Sequence, residues 1–124
     1  MPEQDQRPSV WVGHIALHTK KIAESCEFMR QVGMRVLMNQ ENFALLELRG
    51  GTHLVLTTDE NSSLLRRSFD LMVDDIDASH KEFTDLGLNP DEIERGNIHD
   101  SFEITEPGGN VIMFNSSHVG DLPV

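Results

Sequence analysis

Apolar residues recur along this chain in two alternating rhythms, a period of two and a period of three to four. From Val10 to Thr19 the members Val10, Val12, Ile15 and Leu17 predict a strand with a slip of phase near Gly13, and His14, Ala16 and His18 share its opposite face. Thr19 is placed to cap a helix whose apolar positions Ile22, Cys26, Met29 and Val32 recur every three or four residues, and Gly33 stops it. Three short strands are predicted next, over 34–38, 43–48 and 52–58, the last two joined through Gly50 and Gly51. The predicted unit is therefore βαβββ.

The pattern then repeats. Ile15, Leu17, Ile22, Ser25 and Gly33 fall opposite Phe69, Leu71, Ile76, Ser79 and Gly87 at an offset of 54 residues (15 to 69). Asp74 or Asp75 is a cap for the second helix, whose inner stripe is Ile76, His80, Phe83 and Leu86. The closing hairpin repeats at an offset of 58 (50 to 108), with Gly50, Gly51 and Thr52 opposite Gly108, Gly109 and Asn110. Two βαβββ units thus fill a single domain over 10–120, unit one at about 10–59 and unit two at about 67–118. Residues 1–9, with two prolines, form a flexible arm.

One helix covers one face of a four-stranded sheet, so the expected fold is α+β, two repeats curled into a mixed-sheet cup with helices outside. The helix side collects Ile15, Leu17, Leu46, Leu54, Leu56, Phe69, Leu71, Ile104, Ile112 and Phe114. Alternate positions face the cup, among them His14, His18, Phe43, Glu47, His53, Asp70, His99, Glu103 and Met113, a polar and apolar mixture suited to a small-molecule ligand.

Charge narrows the partners. With 10 Lys+Arg against 21 Asp+Glu the formal charge is −11, which repels nucleic acid and anionic membranes and favours a cationic ligand. A single cysteine forms no internal disulfide, and the start lacks a signal-peptide pattern, so a cytoplasmic location is expected. Neither a G-x-G-x-x-G nor a P-loop motif is present.

Several segments resemble the vicinal oxygen chelate superfamily, which includes glyoxalase I, extradiol dioxygenases and the bleomycin and fosfomycin resistance proteins. They are Gly13-His14-Ile15-Ala16-Leu17, the Phe28-to-Gly33 helix end, the Phe69–Ile76 start of unit two and the turn Glu106-Pro107-Gly108-Gly109-Asn110. The resemblance implies a homodimer and, in the enzymes, a divalent metal held at the start of the first strand and the middle of the last strand of each unit. Here those positions carry His14, Ser68, Val55 and Met113, of which only His14 is a conventional metal ligand.

Two expectations follow. The first is a metal-independent small-molecule binding protein, with His14, His18, Phe43, Glu47, His53, Asp70, His99 and Met113 as ligand-binding residues and no cofactor. The second is a lyase, isomerase or dioxygenase in which His14, with Glu103 or His53, holds a single divalent metal that chelates two vicinal substrate oxygens, and a carboxylate, Glu103 as the catalytic base, shuttles the proton. A third, an interaction module, requires the cup to be filled by Met72, Met113 and Phe43. His118, in Ser116-Ser117-His118-Val119, is the weakest of the histidine candidates and stays outside the expected site.

Overall fold

The computed structural model describes residues 5–66, 69–107, 109–118 and 120–124. The Val10–Thr19 segment splits at Gly13 into β1 (Trp11–Val12) and β2 (His14–His18). Unit one continues with α1 (Ile22–Val32), β3 (Arg35–Asn39), β4 (Phe43–Glu47) and β5 (His53–Thr57). A 3₁₀ turn at Ser63–Arg66 leads to unit two: β6 (Leu71–Val73), α2 (Ile76–Asp85), β7 (Glu94–Arg95), β8 (Asp100–Thr105) and β9 (Val111–Ser116). Both units are βαβββ.

The two sheets have equivalent orders, β2-β5-β4-β3 in one and β6-β9-β8-β7 in the other, the second extended by β1. In each, the first and last strands of the unit pair in parallel, β2 with β5 and β6 with β9, while the remaining pairs are antiparallel. The units meet within one chain. β1 pairs with β6, and Gly13 N–H donates to the Asp70 carbonyl while the Gly13 carbonyl accepts from His53 N–H. One extended segment therefore serves both sheets, and the break in its phase at Gly13 marks where it passes from one to the other.

Each helix buries its stripe on its own sheet. Ile22 and Cys26 pack with Ala44, Leu46, Leu54 and Leu56, and Val73 and Ile76 pack with Phe102, Ile104 and Phe114. Asp75 accepts from Ala78 N–H as the cap of α2. At α1 the cap position is Lys21, with no side-chain bond; the Thr19 hydroxyl instead takes Lys21 N–H and meets the Ser25 hydroxyl.

Three expected core positions on the sheets are exposed: Ile15 at 38%, Leu17 at 48% and Phe69 at 40%. α1 packs on β3, β4 and β5, and on β2, at the sheet edge, Ile15 and Leu17 stay exposed. The helix stripes also end earlier than their periodicity predicts, because Val32 and Leu86 lie at the final turns, beyond the sheets, and point to solvent. Among the described residues, no helix is long and apolar enough to cross a membrane.

Candidate functional site: a histidine cluster between the two sheets

Four of the six histidines converge where β1 and β2 join the two sheets. The His14 ring centroid lies 5.7 Å from His53, 5.2 Å from His99 and 5.4 Å from His118. His118 lies flat on His53, at 4.5 Å and 5°, and 4.0 Å from His99. One nitrogen from each of His14, His99 and His118 lies within 4.8 Å of the others.

The local fold sets each ring. His14 opens β2 beside Asp70, whose Oδ1 accepts the His14 backbone N–H at 2.7 Å and whose Oδ2 pairs with Nδ1 at 2.8 Å. Asn115 on β9 donates to the same Oδ2 at 2.7 Å. Gly13 makes this approach possible: a Cβ there would meet Asp70 Oδ1 at 2.6 Å and Met72 Cγ at 2.8 Å. His53 opens β5 opposite His14 and donates Nε2–H to Glu47 Oε2 at 2.7 Å, while Glu47 Oε1 accepts from Arg35 at 2.9 Å. His99 immediately precedes β8, and its Nδ1 donates to the Ser116 carbonyl at 2.8 Å. His118 follows β9.

These partners are acceptors, and they dictate the tautomers. With a proton held on Nδ1 of His14 and His99 and on Nε2 of His53, the other nitrogen of each ring keeps a bare lone pair. His53 Nδ1 is buried without a hydrogen-bond partner. Burial, reinforced by the neighbouring imidazoles, pushes the His118 pKa down to about 4, and burial likewise lowers that of His99. Their lone pairs are therefore available at neutral pH. Imidazole rings held at one nitrogen by a carboxylate or carbonyl form a donor set that fits a divalent transition metal, with Asp70 behind His14 and the Ser116 carbonyl behind His99 to orient them.

The other residues expected at the site fall elsewhere. His18 is exposed at the far end of β2, opposite Thr57, and Phe43 pairs with that same threonine from β4. Met113 is half-buried on β9 and pairs with Glu103. Glu103 lines a cavity of about 480 Å³ with Leu88, Asn89, Asp91, Thr105 and Val111, and its backbone pairs with Asp91. Ser68 lies outside the described residues. Val55 pairs with Ala16 and Leu45, and neither it nor Met113 offers a nitrogen or oxygen donor. Cys26 is buried and burial raises its thiol pKa, so it is not a nucleophile. His118, which sequence reasoning left out, lies beyond the last repeated strand, where no periodicity places it; its one signal was proximity to the end of β9.

The duplicated units and parallel closing strands define the vicinal oxygen chelate fold, as in proteins of the glyoxalase/bleomycin resistance/dioxygenase superfamily. No family model matches the chain, and no curated protein matches its sequence. Among solved structures it is similar to a glyoxalase/bleomycin resistance protein/dioxygenase superfamily member from Vibrio splendidus 12B01, at 17% identity and a TM-score of 0.50, covering 87% of this chain and 99% of that one. An uncharacterized protein from Methanosarcina mazei aligns with a TM-score of 0.56 at 15% identity, over 92% of this chain and 95% of that one. A structure described as an NAD-dependent benzaldehyde dehydrogenase from Legionella pneumophila aligns with a TM-score of 0.51 at 16% identity, over 83% and 96%. At these identities the likeness establishes the fold alone.

Proposed function

We propose that this chain is a metal-dependent protein of the vicinal oxygen chelate fold, with His14, His99 and His118 holding one divalent transition metal and a small oxygen-bearing molecule as substrate. The observation that carries this reading is the convergence of one nitrogen from each of three imidazoles within 4.8 Å, two of the rings being held by an acceptor at Nδ1. When bound, the metal supplies Lewis-acid polarisation of a substrate oxygen.

The chain's own residues do the rest. Asp70 holds His14 in one tautomer and orientation, and the Ser116 carbonyl does so for His99. His53 adds an unpartnered Nδ1 acceptor at the edge of the cluster, suited to a substrate hydroxyl, with its ring held by Glu47. Glu103 is not within this constellation, so the proton-transfer role expected for it moves to the cluster's own groups.

The metal-free reading rested on Val55 and Met113 at the positions where the resembling enzymes carry ligands. Four histidines gathered at the starts of β2 and β5, just before β8 and just after β9 add donors to His14 from other positions, which favours the metal-dependent reading. A cationic ligand remains favoured by the net charge of −11, and a homodimer by the resemblance alone.

Elemental analysis of untagged protein, purified without chelating resin, tests the proposal. About one Zn, Ni, Mn or Fe per chain is expected; protein that holds no metal after purification or reconstitution returns the reading to a metal-free binding protein.

A further inference from the structure

The segment after β9 begins on the sheet of unit two and ends against unit one. Its His118 ring lies on His53, and five residues later the Pro123 carbonyl accepts from Arg35 Nη2 at 2.9 Å. The same guanidinium donates Nη1 to Glu47 Oε1 at 2.9 Å, and Glu47 Oε2 accepts from His53 at 2.7 Å. Arg35, Glu47, His53, His118 and Pro123 thus form a closed circuit, with Arg35 touching both the segment and the carboxylate that orients His53.

At its start the segment is tied to unit two by Ser117 N–H, which donates to the Val73 carbonyl at 3.1 Å. Gly120, Asp121, Leu122, Pro123 and Val124 are exposed, and Pro123 and Val124 line a cavity of about 560 Å³ together with Gly33, Arg35, Glu47 and Arg49. An exposed stretch such as 120–124 detaches locally at low cost. The planar fork of arginine suits the two-way contact, since its two terminal nitrogens address two separate oxygens at once.

We propose that Arg35 is a positioning residue that clasps the C-terminal segment to unit one and so seats His118 over the histidine cluster. Release of the clasp withdraws one imidazole and opens the site. Its consequence for metal rests on the function proposed above, whereas the clasp itself does not.

Two readouts on the full-length chain separate these. In the metal-free protein, NMR follows the His118 ring protons and their contacts with His53 and His99 in wild type, Arg35→Ala and Arg35→Gln. The glutamine keeps one donor for Glu47 should alanine disturb the fold. Loss of the His118 contacts in either variant, with the remaining spectrum unchanged, is the expected result. A His118 ring still stacked on His53 in both variants overturns the clasp, whatever the metal result. Cobalt(II) alone is then used as probe: dissociation from Arg35→Ala is expected to be about tenfold faster than from wild type. Equal rates overturn the link between clasp and site, and wild type that takes up no cobalt contradicts the metal reading while the NMR comparison still decides the clasp.

Discussion

Asp70 holds His14 at two points, through the backbone N–H at 2.7 Å and the ring Nδ1 at 2.8 Å, and the two residues belong to different units of the repeat. The carboxylate is buried, and Asn115 supplies its third N–H donor. One side chain therefore joins the sheets, fixes the His14 tautomer and aims the ring. In Asp70→Asn an amide NH₂ would face one or more of those donors. Stability should fall by about 1–3 kcal/mol, read from the urea midpoint, and metal affinity by about 10–100-fold, read by competition with a chromophoric chelator.

Two glycines guard the geometry from behind. At Gly13 a Cβ would press on Asp70 and Met72, and at Gly96 a Cβ would collide with the His99 carbonyl oxygen. Gly13→Ala should cost about 1–3 kcal/mol in denaturant unfolding, because the Met72 and Asp70 side chains must move in a packed junction. Gly96→Ala should displace His99 and weaken metal binding more than it weakens the fold. Gly120→Ala, where a Cβ meets nothing within 4 Å, is the control and should leave both unchanged.

The pH response has a definite sign. His118 titrates at about 4 in the folded chain against an ordinary 6.5, so between those values the unfolded chain binds more protons than the folded one. Its contribution is present above pH 6.5 and is lost as pH falls toward 4; His99, lowered in the same direction, adds to the loss. Urea midpoints of the metal-free chain should drop from pH 7 to pH 5, and the drop should shrink in His118→Ala. An unchanged pH slope in that variant would assign the acid sensitivity elsewhere.

The fold was legible because it is duplicated. Alternation at Ile15 and Leu17 recurring at Phe69 and Leu71, helix stripes begun by Ile22 and Ile76, and the Gly51 and Gly109 hairpins each recur at fixed offsets, and those signals are local. The exposure of Ile15 and Leu17 was not legible, since it depends on α1 lying over β3 to β5 rather than over β2. Within the site, Glu47, His53, Asp70 and His99 were reached from strand phase, and His14 from strand phase together with the resemblance. His118 and Arg35 required the path of the C-terminal segment across the two units, which no periodicity encodes. Glu103 and Met113 share the predicted face with these residues but sit further along β8 and β9, a spacing of about 6.5 Å for each two residues, which strand phase does not resolve.

Cobalt(II) titration of the untagged chain, followed by its visible absorption, tests the central claim most directly. Wild type should saturate at about one equivalent with bands indicating nitrogen coordination, and His14→Ala, His99→Ala and His118→Ala should each lose that site while His18→Ala retains it. A wild-type chain that binds no cobalt, or a His118→Ala chain that binds it as wild type does, would contradict the account.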